Sequence, residues 1–472
     1  MSNKDYKSYD AMGLAQLIAN GDVSATELLQ QMSTEIEARD GEVNAVVTTM
    51  YDEAQAQIAG GLPEGPLSGV PFMLKDLNLF YAGARTTNGS KMFADYHADI
   101  DSTLVERYKA AGLVIAGKTN TPEFGIAATT EPVVNGATAN PWNLNHSAGG
   151  SSGGAAAAVA AGYLPLAHAT DGGGSIRIPA SNCGLFGLKP TRARTPSGPS
   201  VGEGMAGMST GHCVSRSVRD SAALLDLTQG PAPGDPYAAP AFERPLLEEV
   251  GAPTGQLRIA LCATDYRGNP IHADCEAAVR ATAKVCEDLG HVVEEARPDL
   301  DEFDLYRAWR VVPAANLWNS VHARAKALGR APQPDDVEPV TWAWMHESQQ
   351  YTSAEYLQTI TEMHMIGRRM GAFLQRYDFI LTPTLALPPI RLGEMDMGTE
   401  DVSAYVAYLF EEVAPFTPLF NQTGGAAMSV PLHRNAEGLP IGSQFGGALG
   451  DEPKLIRLAA QLEEAAPWQA LA

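Results

Sequence analysis

Cysteine is scarce in this sequence. The 472 residues include five cysteines, and no two of them stand in the C-x-x-C spacing of zinc ribbons and redox sites. So few thiols in so long a chain cannot form a disulfide framework, and we expect them to be buried and reduced. Neither a metal nor an organic cofactor is expected. The thiols are Cys183, Cys213, Cys262, Cys275 and Cys286.

Long apolar runs and basic residues are also in short supply. The most apolar stretch, residues 155–167, is interrupted by Gly162 and Pro165 and is too short to span a bilayer. The polar N-terminal segment lacks the apolar region of a signal peptide, which predicts a cytoplasmic protein. The 33 basic against 55 acidic residues give a net charge of −22. Such a surface repels nucleic-acid phosphates and anionic membranes, so neither is an expected partner.

Short apolar runs alternate with helical patterns along the chain, which indicates an α/β protein whose sheet is covered on its faces. The predicted strands are residues 69–75, 114–117, 164–169, 257–262, 291–295 and 379–381. The predicted helical stretches are residues 11–37, 43–59, 102–111, 154–161, 273–289, most of 303–376, and 452–465.

No internal repeat is visible, so we expect one domain over residues 1–472. Its parts are N-terminal helices (1–62), a catalytic core (63–230), a Pro- and Ala-rich linker or crossing (231–256), and the remainder of the sheet with a variable helical substrate region and the C-terminal helix (257–472).

Two clusters of glycine and serine stand out in the catalytic core. The first is G-G-S-S-G-G at residues 149–154, directly before a predicted helix, and the second is D-G-G-G-S-I-R-I-P-A-S at 171–181. Glycines allow close approach of a substrate, and a helix N-terminus offers free N–H groups. Three glycines before Ser175 can direct several amides at one point, as the oxyanion of a tetrahedral intermediate requires. The plainer alternative for each cluster is a tight turn.

A serine hydroxyl is a poor nucleophile unless a base accepts its proton. The ten histidines show no recognisable partnership with these serines, although His146 and His168 flank the region. A lysine can act as the base if burial keeps it neutral. Lys75, at the end of an apolar strand, is the candidate.

Taken together, these segments resemble the amidase-signature family. The resemblance covers nearly the whole chain, with residues 300–375 the most divergent. It implies a large mixed central β-sheet covered by helices on both faces, and hydrolysis of amide-like C–N bonds. The matching motifs lie at residues 69–76, 117–123, 140–143, 149–154, 170–191, 420–421, 438–442 and 462–463.

The resemblance also implies roles for individual residues. Ser175 is the expected nucleophile, Lys75 the base, and Ser151 the serine between them, beside a non-proline cis peptide bond. Ser152 is expected to hydrogen-bond Lys75. The expected donors to the oxyanion are the amides of Gly172, Gly173, Gly174 and Ser175. Asp171 and Arg177 are close enough in sequence to pair and brace the loop.

The substrate is expected to be a small, hydrophobic or aromatic amide. Thr130, Met205, Asn316 and Trp342 are the candidates for contact with it, because aromatic and Met side chains favour apolar groups. Residues 129–132, 136–138 and 140–143 resemble the branch with 6-aminohexanoate cyclic-dimer hydrolases. This adds cyclic amides, nylon-type oligomers, anilides and carbamates as candidates, with esters as side substrates. Whether the protein forms a homodimer stays open.

Three other functions compete with this interpretation. Residues 149–153 satisfy the G-x-S-x-G of an α/β-hydrolase that would use Ser151 with His433, but the polar, turn-like residues 140–146 do not suit that motif. A nucleotide-binding module lacks the required glycine order. The glutamine-hydrolysing subunit of a tRNA-dependent amidotransferase would share the same three residues and stays open.

Overall fold

The computed structural model describes residues 3–468, which form 15 α-helices and 13 β-strands. The strands are β1 (Val46–Thr49), β2 (Pro71–Lys75), β3 (Val114–Thr119), β4 (Ala139–Asn140), β5 (Asn143–Ser147), β6 (Leu166–Asp171), β7 (Phe186–Lys189), β8 (Thr210–Ser215), β9 (Arg258–Leu261), β10 (Val292–Glu295), β11 (Phe379–Pro383), β12 (Ala427–Arg434) and β13 (Pro440–Gly446). The helices are α1 (Asn3–Ser8), α2 (Ala11–Asn20), α3 (Ala25–Val43), α4 (Tyr51–Ala59), α5 (Thr103–Ala110), α6 (Gly153–Ala160), α7 (Arg177–Cys183), α8 (Val218–Thr228), α9 (Ala273–Asp288), α10 (Arg307–Ala327), α11 (Pro339–Glu347), α12 (Ser353–Phe373), α13 (Val402–Ala407), α14 (Pro418–Thr423) and α15 (Glu452–Ala465).

The central sheet is mixed and has eight strands in the order β10-β9-β11-β13-β12-β7-β8-β6. The pairs at the β10 end are parallel, whereas those from β11 to β6 are antiparallel. A second sheet, β1-β3-β2, places β2 beside β6. The chain therefore brings the end of β2 close to the end of β6, which are the two strands that precede the chemistry-bearing motifs.

Helices cover both faces of the central sheet, as expected for this fold class. On β7, Phe186 and Leu188 point into a core shared with α8, α9 and α15. The residue between them, Gly187, faces the other side, where an added Cβ would lie 2.6 Å from Ala180 of α7. Successive residues of a strand point to opposite faces, so α7 lies directly against the sheet.

The structure corrects the helix expected over residues 43–59. β1 occupies Val46–Thr49, and the helix begins at Tyr51. The sequence V-V-T-T consists of β-branched residues, which favour a strand when a neighbour offers backbone partners. β3 supplies them through an antiparallel pairing.

The sequence also predicted a linker or crossing at residues 231–256, buried reduced thiols and no membrane-spanning segment. Residues 231–256 contain one 3₁₀ turn, at Leu246–Glu249, as their regular structure. All five cysteines are buried and unpaired. Across residues 3–468, every helix is too short or too polar to cross a membrane.

Candidate active site

Lys75 is the last residue of β2 and is completely buried. Its Nζ lies 2.6 Å from Ser151 Oγ and donates a hydrogen bond of 2.9 Å to Thr170 Oγ1. Burial lowers the pKa of Lys75 well below its ordinary value, although the charge of Asp171 opposes the shift. A neutral amine has one lone pair and two N–H groups. It can therefore donate to Thr170 while its lone pair accepts the proton of Ser151.

Ser151 lies at the entrance to α6, after a cis peptide bond between Gly150 and Ser151. Glycine is required in this turn because the backbone is packed against neighbouring segments. A Cβ at Gly150 would lie 2.2 Å from Thr129 O, and one at Gly154 would lie 2.3 Å from Asn120 N. The glycine cluster thus permits the close packing that brings Ser151 next to Lys75.

The loop that carries Ser175 joins β6 to α7 and is folded around the carboxylate of Asp171. Arg177 donates two hydrogen bonds of 2.9 Å to this carboxylate in a fully buried ion pair. The carboxylate also accepts the N–H groups of Gly174 at 2.8 Å and Ile176 at 3.2 Å. Burial alone would raise the pKa of Asp171, but the charge and hydrogen bonds of Arg177 outweigh it and lower the pKa to about 2.

This arrangement changes the expected set of oxyanion donors. The N–H of Gly174 donates to the carboxylate of Asp171, so it is not free to serve as the predicted oxyanion donor. Among the described residues, the amides of Gly172, Gly173 and Ser175 have no acceptor. Three N–H groups are therefore open to a developing oxyanion.

Ser175 and Ser151 line the same cavity. Within the described chain, Ser175 Oγ forms no hydrogen bond, so the expected contact with Ser151 is not made in this conformation. A free hydroxyl can rotate towards either the substrate or Ser151.

The predicted hydrogen bond between Ser152 and Lys75 is wrong. Ser152 Oγ instead donates to Thr170 O at 3.2 Å and accepts Thr170 N–H at 3.3 Å. The second hydroxyl on the lysine belongs to Thr170, which the sequence analysis missed. Nothing in a lone threonine before Asp171 distinguishes it from an ordinary strand residue.

The serines open into a cavity of about 460 Å³ with a largely apolar lining. Of the predicted substrate contacts, Met205 and Asn316 line it. Thr130 does not, because its buried hydroxyl bonds the backbone of Gly149 and Gly153. Trp342 lies outside the lining against His346. Aromatic side chains that do line the cavity are Phe80, Phe124, Trp309, Trp344 and Phe410.

The histidines near these residues are not placed to act as the base. His168 Nδ1 accepts the backbone N–H of Lys75 at 3.2 Å, and its burial lowers its pKa well below the ordinary value. His433 Nε2 lies 3.2 Å from Thr282 Oγ1 on the opposite face of the sheet from α7. Residues 140–146, expected to be turn-like, form part of the β4–β5 hairpin outside the central sheet. This context excludes the nucleophile elbow of an α/β-hydrolase.

A buried amine, two serines and free amides around an apolar cavity are the groups that acyl transfer to a serine requires. A profile described as Amidase matches residues 27–456. The chain belongs to the amidase family and is an amide-hydrolysing enzyme.

Individual relatives agree with this assignment. The chain is 37% identical to a 6-aminohexanoate-cyclic-dimer hydrolase of Paenarthrobacter ureafaciens over 98% of this chain and 95% of that protein. A solved structure of 6-aminohexanoate cyclic dimer hydrolase complexed with substrate superposes with a TM-score of 0.93 at 36% identity, covering 98% and 97% of the two chains. A bacterial aryl acylamidase of the amidase-signature family superposes with a TM-score of 0.89 at 27% identity, covering 98% and 96%.

Proposed function

We propose that this enzyme hydrolyses small hydrophobic or aromatic amides through an acyl-enzyme on Ser175. The observation that carries the proposal is the hydrogen bond between the buried amine of Lys75 and Ser151, at the edge of a cavity that also holds Ser175. Lys75 takes the proton of Ser151, Ser151 takes that of Ser175, and Ser175 Oγ attacks the carbonyl carbon. The electron pair of the C=O bond moves to oxygen, where the amides of Gly172, Gly173 and Ser175 stabilise it.

Collapse of this intermediate re-forms the carbonyl and breaks the C–N bond. The proton held by Lys75 returns through Ser151 to the departing nitrogen, which leaves as a neutral amine. Water then transfers a proton along the same path, attacks the acyl group and releases a carboxylic acid and free Ser175. Esters should react as side substrates, because their leaving oxygen depends less on the returned proton.

The candidate substrates are cyclic amides, nylon-type oligomers, anilides and carbamates. The apolar and aromatic lining favours such groups. The names of two relatives point the same way, since one acts on a cyclic dimer of 6-aminohexanoate and another is an aryl acylamidase. No partner subunit is part of the proposal, which places activity in the isolated chain.

The test is a substrate panel with the purified chain, consisting of an anilide, a lactam-type cyclic diamide, an alkyl amide, a carbamate and an ester. We expect turnover of at least one neutral amide and labelling of Ser175 by a sulfonyl fluoride, located by mass spectrometry. Lys75→Met should abolish both. A label on Ser151, or no turnover of any neutral amide, would refute the assignment.

A further inference from the structure

Charge is distributed unevenly around the active-site cavity. In the described chain, Glu203 is the one formally charged side chain in the lining, which contains no Lys or Arg. Glu203 and its neighbour Val201 both line the cavity and are exposed to solvent, which places them at its mouth. Any substrate that enters therefore passes a carboxylate and meets no cationic side chain on the cavity wall.

Groups deeper in the site do not supply a positive charge. The amine of Lys75 and the imidazole of His168 both have pKa values held well below their ordinary values by burial. Arg177 is matched by Asp171 in a buried ion pair. An anionic group that left water for this cavity would have no ion pair to replace its hydration.

Arg192 lies near Glu203, and three of its hydrogen bonds go to backbone carbonyl groups. Its Nε donates to Gly207 O at 2.7 Å, and an Nη donates to Asn421 O at 3.0 Å and Gln422 O at 2.6 Å. Glu203 and Arg192 attract each other electrostatically, and Glu203 Oε2 and Arg192 Nε both lie beside Gly207. Among the described residues, however, Glu203 forms no close ion pair. Its carboxylate remains available to act on a ligand at the mouth.

We propose that Glu203 makes this site select against anionic amides, so that its substrates are neutral or carry an ammonium group away from the scissile bond. The inference deepens the proposed function and rests on it. Coulomb repulsion from Glu203, strengthened by the net charge of −22, disfavours a carboxylate at the mouth. The same repulsion favours release of the carboxylate that hydrolysis forms.

The test uses 4-nitroanilides that differ at the far end of the acyl chain. Hexanoyl 4-nitroanilide is neutral, the adipic acid mono-4-nitroanilide carries a carboxylate, and 6-aminohexanoyl 4-nitroanilide carries an ammonium group. A second pair, hexanoyl anilide and its 4-carboxylate derivative, places the charge on the leaving amine. For each charged compound, the kcat/KM relative to its neutral counterpart is compared between the wild-type enzyme and Glu203→Gln.

We expect Glu203→Gln to raise the carboxylate-to-neutral ratio on the order of tenfold in at least one series, and to lower the ammonium-to-neutral ratio. Added salt should reduce the discrimination of the wild-type enzyme. The matched control is Glu64→Gln, which removes an exposed carboxylate outside the cavity lining and should leave the ratios unchanged. Ratios that are the same in wild type and Glu203→Gln would overturn the inference. Failure of the wild type to hydrolyse either neutral anilide would instead count against the proposed function.

Discussion

At the scale of single residues, the proposed chemistry depends on the protonation state of Lys75. Its amine can accept a proton only when neutral, so kcat/KM should rise with pH through a pKa far below the ordinary value of lysine. Lys75→Met should lower kcat/KM about 10³-fold or more and remove this rise. The measurement is the pH profile of anilide hydrolysis. Lys326→Met, at an exposed position, is the control and should keep the wild-type profile.

Variants of Thr170 and Ser152 test two different contacts. The hydroxyl of Thr170 bonds Lys75, whereas that of Ser152 bonds the backbone of Thr170. Thr170→Val keeps the side-chain shape but removes the acceptor for Lys75 Nζ. We expect it to lower kcat by about tenfold, as loss of one such hydrogen bond implies, and Thr170→Ser to retain most of the activity. Ser152→Ala removes bonds to the backbone of Thr170 and should lower the free energy of unfolding by about 1 kcal/mol. Kinetics and urea unfolding of all three variants check this, and equal kcat losses for Thr170→Val and Thr170→Ser would contradict it.

Sequence motifs identified part of the site and missed the rest for a physical reason. The proximity of Lys75 to Ser151 and the pairing of Asp171 with Arg177 could be predicted, because glycine clusters mark the two loops and the resemblance to the amidase-signature family singled out the lysine. Thr170 and Glu203 could not, since a single threonine or glutamate carries no pattern of its own. The contact of Thr170 with Lys75 joins two sheets, and the role proposed for Glu203 depends on its place at the cavity mouth.

At the scale of elements, the Asp171–Arg177 pair fixes the β6–α7 connection. Asp171→Asn leaves the buried charge of Arg177 without its counterion, which should lower the free energy of unfolding by about 3–5 kcal/mol. Because the folded pKa of Asp171 is lowered to about 2, its stabilisation is present above its unfolded value near 4 and disappears as the pH falls through 2. Urea unfolding at neutral pH measures the loss. The exposed pair of Asp301 with Arg297 provides the control, since Asp301→Asn should have a far smaller effect.

Strands next to α7 were the least predictable elements. β7, β12 and β13 carry small residues where they face this helix. A Cβ at Gly442 of β13 would lie 2.5 Å from Ser429 Oγ and 2.7 Å from Ser181 Oγ. Close packing of α7 therefore places glycine, serine and alanine on the face opposite the apolar residues, and short strands rich in such small residues resemble loops in sequence. The β9–α9–β10 unit was predicted as strand, helix and strand, and this prediction is confirmed.

At the scale of the whole molecule, buried lysines make stability depend on pH. Burial lowers the pKa of Lys118 to about 8 and that of Lys189 to about 7. It also lowers the pKa of Lys75 well below its ordinary value. Between these values and the unfolded value near 10.5, the unfolded chain binds more protons than the folded one. The free energy of unfolding should therefore rise with pH above about 7. Buried carboxyl groups whose pKa is raised to about 7 make the free energy of unfolding fall as the pH rises, but only below about pH 7. They belong to Glu123, Asp220 and Glu463.

The five buried thiols limit this rise of the free energy of unfolding at alkaline pH. Burial raises the pKa of every one of them, so above the unfolded thiol pKa of about 8.5 the folded chain retains protons that the unfolded chain loses. Stability should then fall, which places the maximum at about pH 8 to 9. Urea unfolding from pH 6 to 10 measures it, and Lys189→Met should flatten the rise between pH 7 and 8.5. A steady fall across that interval in the wild type would mean that the buried amines are charged in the folded protein, and a charged Lys75 could not serve as the base.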